Sequence, residues 1–128
     1  TAAYAALAGS QPPLAAVAGG WLWTMGMHTF SAIPDIEPDR RAGLTTTATA
    51  LGEPRAYAYC AACWLGAAVV FAAVSERLAL LLLAYPVVVF LSYWSDVSVG
   101  RAYWWYPALN TLVGMLITLG GLWGLLRG

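Results

Sequence analysis

An apolar segment gives way to a polar one within residues 28–52, which read HTFSAIPDIEPDRRAGLTTTATALG. Before this change, residues 13–34 form an apolar segment. At 1.5 Å per residue a helix of this length crosses the roughly 30 Å hydrocarbon core of a bilayer. After it, residues 56–74 are apolar again. The pattern predicts a loop, residues 35–54, between two membrane-spanning helices.

The composition of the whole chain also favours lipid. Of its 128 residues, 61% are hydrophobic and 9% charged, whereas a typical soluble domain carries about 25% charged residues. Residues 78–95 and 103–126 form two further apolar segments separated by a polar turn at 96–101, and residues 1–9 are predicted to be the tail of a helix. In lipid, only helices and closed barrels satisfy their backbone groups. Because the segments lack the strict alternation of barrel strands, the predicted fold class is all-α, a multi-pass transmembrane helical bundle.

The distribution of charge bears on partners and orientation. Six acids balance six arginines, and the basic stripe of a nucleic-acid-binding protein is absent, so no nucleic-acid partner is expected. Four arginines fall on the side of the 35–54 loop and two on the other. The four are Arg40, Arg41, Arg55 and Arg101, and the two are Arg77 and Arg127. Since cytoplasmic loops are enriched in arginine, we expect the 35–54 loop to be cytoplasmic, in a cell membrane.

Several features of the apolar segments have purely structural explanations. Cys60 and Cys63 lie in an apolar run without the polar surroundings and further ligands of a metal site, so they are predicted to pack inertly. Residues 103–106, which read YWWY, predict an interfacial aromatic belt. The spacing of Gly120 and Gly124 predicts a close helix contact.

Two acids in the loop suggest a metal site. On a helix, Asp35 and Asp39 would lie on one face, and their charges would repel unless a cation lay between them. Carboxylate oxygens suit magnesium, which usually keeps several waters and bridges substrate phosphates. Asp35 is in a position to cap a new helix with Pro38 in its first turn, where proline is tolerated.

The same acids also fit an ordinary solvated loop. In that interpretation Asp35, Glu37 and Asp39 pair with Arg40 and Arg41. The spacing alone leaves both interpretations open.

A longer pattern carries a family resemblance. The block Asp35-x-x-x-Asp39-x-x-x-Gly43-x-Thr45, closing with Leu51-Gly52, resembles the second aspartate-rich motif of the UbiA prenyltransferase superfamily. The resemblance implies a nine-helix membrane fold with this motif in the cytoplasmic loop between helices six and seven. Residues 1–128 would then be the C-terminal part of a single UbiA-type membrane domain. The first aspartate-rich motif would lie upstream, so this chain alone is expected to be inactive.

The resemblance also implies roles for individual residues. Asp35 and Asp39 match the catalytic acids that bind Mg²⁺ and the diphosphate. Arg40 and Arg41 adjoin the motif, where they would contact either the diphosphate or lipid headgroups. Glu37 is expected to be a bystander.

Three other polar or variable positions bear on the site. Many relatives carry a basic residue where this chain has Leu44, so any phosphate contact there is lost or moved. His28 lies seven residues, two helical turns, before Asp35. Since ionisable groups in membrane helices are costly and often functional, it would either line the substrate pocket or hydrogen-bond a neighbouring helix. Asn110 is expected to join helices.

The implied reaction is prenyl transfer from an allylic diphosphate, with Mg²⁺ assisting departure of the diphosphate. The run from His28 to Asp39 looks most like the lycopene elongases, which implies transfer of a dimethylallyl unit to lycopene in the membrane lipid. Cation–π contacts would stabilise the carbocation, and the candidates at the level of the loop are Tyr57, Tyr59, Tyr93 and Trp94. Two alternatives remain. One is an aromatic-acceptor enzyme of quinone biosynthesis that uses a substrate such as 4-hydroxybenzoate, and the other is a non-catalytic membrane or transporter subunit.

Overall fold

A computed structural model describes residues 5–6, 9–95 and 97–127, apart from the side chain of Leu125. Seven helices form its regular structure, and no strand occurs in these ranges. They are α1 (Leu14–Ser31), α2 (Ile36–Arg41), α3 (Thr47–Leu51), α4 (Glu53–Ala72), α5 (Glu76–Leu82), α6 (Ala84–Trp94) and α7 (Val99–Arg127). The predicted all-α fold is confirmed. Most of the helix tail predicted at residues 1–9, and Asp96 in the predicted turn, lie outside the described residues.

Three stretches are long and apolar enough to cross a membrane: Glu53–Ala72, Glu76–Trp94 and Val99–Gly124. They correspond to the predicted segments 56–74, 78–95 and 103–126, each beginning a few residues earlier than predicted. The predicted segment 13–34 forms helix α1, but α1 is not among the three. Polar side chains in its second half, including Thr24, lower its apolar character, so its passage through the membrane stays a prediction.

The segment predicted as one helix at 78–95 is divided into α5 and α6 at Leu83. Pro86 explains the break, because proline has no N–H to donate to Leu82, four residues earlier, and its ring crowds that carbonyl. Helix α5 accordingly ends at Leu82.

Helices α1 and α4 make the largest interface of the described chain. Two glycines of α1 allow large rings of α4 to approach its backbone. A Cβ at Gly26 would lie 2.7 Å from Nε1 of Trp64, and a Cβ at Gly19 would lie 2.7 Å from the ring of Phe71. The Trp64 indole donates a hydrogen bond of 3.2 Å to the main-chain oxygen of Trp23, which ties the two helices together.

Four rings form an aromatic core at the centre of the bundle: Phe30, Trp64, Tyr85 and Tyr106. Each is at most 1% exposed. Trp64 and Tyr106 stack with ring centroids 5.3 Å apart and planes inclined by 22°. The ring centroids of Phe30 and Tyr106 are 4.3 Å apart. Such pairs stabilise a core beyond the area that they bury.

Tyr106 therefore corrects the prediction of an interfacial belt at 103–106. Helical spacing places it on the same face of α7 as Ala102 and Val113, which are also buried. Tyr103, Trp104 and Trp105 are exposed, which agrees with an interfacial position for those three.

Most of helix α7 lies outside this core, and 6% of its most apolar window is buried. A Cβ at Gly120 or Gly124 would meet nothing within 4 Å. The predicted close contact at these glycines is not made by any part of the chain that the structure describes.

The loop and the start of α7 lie at the same end of the bundle. Ile36 and Glu37 of the loop share a cavity with Val99 and Gly100. Arg101 is thus at the loop end of the bundle, on the side to which the sequence analysis assigned it.

Candidate functional site

The acid pair is organised by the short helix α2. Asp35 occupies its N-cap position and Pro38 lies in its first turn, as the sequence predicted, but the Asp35 side chain makes no capping hydrogen bond. The main-chain N–H of Asp39 donates to the carbonyl oxygen of Asp35 at 2.8 Å. Asp35 is exposed and Asp39 is half-buried. One helical turn therefore separates two carboxylates on the same side of α2.

Gly43 ends α2 in a left-handed conformation with φ of 70°. Its N–H donates to the carbonyl of Arg40 at 3.1 Å, and the N–H of Leu44 donates to the carbonyl of Asp39 at 2.9 Å. These two bonds form a Schellman motif, in which glycine is favoured because it lacks a Cβ. The motif glycine is thereby explained. The side chain of Leu44 is exposed and offers no phosphate contact.

The threonine run starts the next helix. Thr46 is the N-cap of α3, and its hydroxyl accepts a bond from the N–H of Thr49. The Thr49 hydroxyl accepts a 2.7 Å bond from the N–H of Thr46 in return, which completes a capping box. Thr45 and Thr47 remain exposed on either side.

The two arginines beside the acids bond to main-chain oxygens. Arg40 donates from Nη2 to the carbonyl of Thr49 at 3.1 Å, and Arg41 donates from Nε to the carbonyl of Glu37 at 3.4 Å. Both side chains are exposed. Because a guanidinium has five N–H donors, each retains donors for an anion. These bonds do not support the alternative in which the arginines pair with the loop acids.

The donor set near Asp35 and Asp39 suits one mode of metal binding. No group of three or more His, Cys, Asp or Glu side chains among the described residues is arranged to hold a metal ion. Magnesium is commonly held by one or two carboxylates together with substrate phosphates and water, and a pair of carboxylates of which one is exposed and one half-buried fits that mode.

His28 is exposed at the loop end of α1. Together with two threonines of the loop it borders a cavity of about 460 Å³, whose lining is Met25, His28, Thr29, Ala32, Thr46, Thr47 and Ala48. Its main-chain oxygen accepts a 2.9 Å bond from the Ser31 hydroxyl. Both predicted roles of His28, lining the substrate pocket and hydrogen-bonding a neighbouring helix, stay predictions.

A second cavity of about 350 Å³ begins immediately after the loop. Pro54 and Tyr57 of α4 line it together with Phe90, Tyr93 and Trp94 of α6. Three of the four aromatic candidates thus come together, and Tyr59 is not part of the lining. Asn110 lies elsewhere in the bundle, where it accepts a 2.8 Å hydrogen bond from the Tyr85 hydroxyl, so it joins two helices as predicted.

Sequence reasoning missed the nonlocal contacts of the loop. Glu37, Arg40 and Glu53 share the lining of the cavity against α7, and no sequence pattern relates these three residues. The capping pair of Thr46 and Thr49 had a detectable signal, because threonine is a preferred N-cap residue.

Known proteins resemble the chain over almost all of its length. Residues 1–111 match the UbiA prenyltransferase family. The chain belongs to this family. It is 71% identical over 127 residues to a lycopene elongase/hydratase of Halobacterium salinarum, covering 99% of this chain and 46% of the relative. The protein of the same name from Haloferax volcanii is also 71% identical over 127 residues, with 99% of this chain and 42% of the relative covered.

A third UbiA relative, a lycopene elongase/hydratase of Haloarcula japonica, is 58% identical over 125 residues, covering 98% of this chain and 42% of the relative. The chain spans less than half the length of these three proteins. No solved structure matches it. Membership of the UbiA family and three membrane-compatible helices make this a membrane protein, and the alternative of a transporter subunit has no support.

Proposed function

We propose that the whole protein is an integral-membrane prenyltransferase that moves an allylic prenyl group from its diphosphate to a lipophilic acceptor. The donor is dimethylallyl diphosphate and the acceptor is lycopene. Residues 1–128 are the C-terminal part of its single UbiA-type domain and are inactive alone. The observation that carries the proposal is the acid pair of Asp35 and Asp39 at α2, in a chain 71% identical to two lycopene elongase/hydratases. Their shared name adds a second step, addition of water to the acceptor.

Asp35 and Asp39 are the residues that would hold magnesium in this proposal. The ion would neutralise the diphosphate and so assist its departure from the allylic carbon. The residues of the chain prepare that site. The Schellman motif at the end of α2 and the main-chain bond from Asp39 to Asp35 hold the backbone that carries the two acids, so that little order has to be gained when the substrate binds.

Arg40 and Arg41 are the proposed diphosphate contacts. Both lie in the last turn of α2, one and two residues after Asp39. Guanidinium groups bind phosphate oxygens through several donors at once. Arg40 is already fixed by its bond to Thr49, and its other N–H groups remain for a phosphate oxygen.

An apolar acceptor is favoured by the walls of the cavity that follows the loop. Its aromatic lining of Tyr57, Tyr93 and Trp94 suits a polyene and can stabilise a neighbouring carbocation. We place the protein in the cell membrane with the 35–54 loop on the cytoplasmic side, where soluble diphosphate donors are available. An acceptor such as 4-hydroxybenzoate remains the alternative.

The test uses the full-length protein in detergent with Mg²⁺, dimethylallyl diphosphate and either lycopene or 4-hydroxybenzoate. We expect elongated lycopene from the wild type, and a loss of nearly all turnover in Asp35→Asn and in Asp39→Asn. Glu37→Gln is the matched control, because it changes an exposed acid of the same helix outside the proposed pair, and it should retain activity. Wild-type turnover in both aspartate variants would show that the reaction needs neither acid. Prenylated hydroxybenzoate without elongated lycopene would overturn the acceptor.

A further inference from the structure

We propose that Thr46, Thr49 and Gly52 position the side chain of Arg40 for the diphosphate. The inference rests on the proposed diphosphate contact of Arg40 and deepens it. Arg40 belongs to α2, whereas Thr46 caps the start of α3, Thr49 lies within α3 and Gly52 caps its end. We call these three residues the arginine cradle. They account for the second part of the motif, its threonines and its closing glycine, which the two acids alone do not explain.

Arg40 reaches from one short helix to the end of the next. Its Nη2 atom donates a 3.1 Å hydrogen bond to the main-chain oxygen of Thr49. That oxygen lies in the last turn of α3, where carbonyl groups have no partner within the helix. A Cβ at Gly52 would lie 3.7 Å from the same Nη2 atom, so this nitrogen also lies beside the backbone of Gly52. The two contacts hold the end of a long side chain that otherwise has many rotamers.

The capping box of Thr46 and Thr49 keeps the acceptor in place. Helix α3 has five residues, too few for a helix that is stable without support from its surroundings. It is supported by Ala48, which is 0% exposed in the core, and by the two reciprocal bonds of the box. Thr49 therefore accepts from the N–H of Thr46 through its hydroxyl and from Arg40 through its main-chain oxygen.

Gly52 keeps that oxygen available. Its φ of 74° and ψ of 161° belong to a region that is essentially restricted to glycine. Its N–H donates to the carbonyl of Ala48 at 2.9 Å, and the chain then leaves the helical path before α4 begins at Glu53. Because α3 ends here, the carbonyl of Thr49 can accept the bond from Arg40.

The cradle is expected to act on binding of the donor. A side chain that is already fixed loses less freedom when its ligand binds. The diphosphate carries negative charge both in the bound donor and as it departs, so Arg40 contacts it throughout. Loss of an interaction that is made equally in both states raises KM and leaves kcat unchanged.

The experiment measures Mg²⁺-dependent binding of inorganic pyrophosphate to the full-length protein, and turnover of dimethylallyl diphosphate with lycopene. Thr46→Val and Thr49→Val each remove one hydroxyl of the capping box at nearly constant volume. We expect each to weaken pyrophosphate binding by about fivefold, the factor that typically accompanies loss of a helix cap, and to raise KM for the donor to a similar extent. The kcat should stay within about twofold of wild type. Thr46→Ser keeps a hydroxyl that can cap α3 and should bind as the wild type does.

Arg40→Ala connects the effect of the cradle to the arginine. Alone it should weaken pyrophosphate binding by about tenfold or more, because a hydrogen bond to a charged group is lost. Thr46→Val added to Arg40→Ala should weaken binding no further, because the cradle then has no side chain to position. Thr118→Val is the matched control, since it makes the same change at a threonine of α7 whose hydroxyl bonds within its own helix, and it should bind pyrophosphate normally.

Three results would overturn the cradle. These are wild-type pyrophosphate binding in both Thr46→Val and Thr49→Val, an equal loss in Thr118→Val, or full additivity of Thr46→Val with Arg40→Ala. Wild-type binding in Arg40→Ala would contradict the diphosphate contact of the proposed function, and the cradle with it. Pyrophosphate binding needs no acceptor, so a wild type that makes no elongated lycopene contradicts the proposed function while the binding series still decides on the cradle.

Discussion

The indole ring of Trp64 lies directly against the backbone of Gly26. A Cβ at Gly26 would be 2.7 Å from Nε1 and 2.9 Å from Cε2 of that ring. The ring has no room to retreat, because Trp64 is 0% exposed and stacks on Tyr106. This contact sets the distance between α1, which leads into the acid loop, and α4, which leaves it.

Gly26→Ala should therefore destabilise the protein. Overpacking of a tight core costs about 1–3 kcal/mol, which exceeds the roughly 0.5–1 kcal/mol that alanine gains over glycine in a helix. Thermal unfolding of the full-length protein in detergent measures the change as a lower Tm. The matched control is Gly20→Ala in the same helix, where an added Cβ meets nothing within 4 Å, and its Tm should stay level or rise. A Gly26→Ala variant as stable as Gly20→Ala would contradict the close approach of the two helices.

Gly43→Ala should disturb the acid pair without unfolding the bundle. An alanine at φ of 70° is strained by roughly 1–2 kcal/mol, and relief of the strain would break the two bonds that end α2 just after Asp39. We expect a higher Mg²⁺ concentration for half-maximal activity and a small change in Tm. Gly121→Ala serves as the control, since Gly121 is exposed, lies far from the loop end of α7, and its Cβ would meet nothing within 4 Å. An unchanged Mg²⁺ requirement in Gly43→Ala would show that the Schellman motif does not position the two acids.

The bond between Tyr85 and Asn110 should contribute measurable coupling between α6 and α7. Tyr85→Phe removes the donor and Asn110→Leu the acceptor of a 2.8 Å hydrogen bond. Interhelical hydrogen bonds in membrane proteins average about 0.6 kcal/mol and reach roughly 1.7 kcal/mol. The double variant should thus lose less stability than the sum of the single variants. Strict additivity in this cycle would show that the two groups do not stabilise each other.

Cysteine labelling tests the orientation of the loop. Thr47 is exposed, so Thr47→Cys in the full-length protein should react with a membrane-impermeant maleimide added from the cytoplasmic side. Cys60 and Cys63 are both buried, and they should remain unlabelled, which allows the wild type to serve as the blank. Labelling of Thr47→Cys from the outer side alone would reverse the proposed topology.

Features governed by neighbouring residues were predictable from the sequence. The start of α2 at Asp35 and the ends of the apolar segments depend on contacts within one or two helical turns, and those appear in the sequence as spacing and residue type. The burial of Tyr106 was not predicted, because an aromatic run beside a membrane boundary has the same composition whether one of its rings faces lipid or a partner helix. The bond from Arg40 to Thr49 was missed for a related reason, since it depends on the path of the loop between α2 and α3.

The division at Leu83 lies between these two cases. Pro86 is visible in the sequence, but a proline bends one helix and ends another according to how its neighbours pack. Helix α7 continues through Pro107, whereas α5 ends four residues before Pro86. Residue type located the possible break, and tertiary packing decided which of the two prolines produced it.

The aromatic core also determines the order in which the chain can assemble. Phe30 and Trp64 belong to α1 and α4, which are adjacent in the sequence apart from the acid loop, so they can meet while the rest of the chain is still being made. Tyr106 comes from α7, and its stack on Trp64 closes a contact of long sequence separation, the kind that forms late in folding. Until α7 is inserted, one face of the Trp64 ring has no partner. A nascent chain that pauses before residue 99 would therefore present an uncovered aromatic surface, which is the feature that makes folding intermediates prone to aggregation.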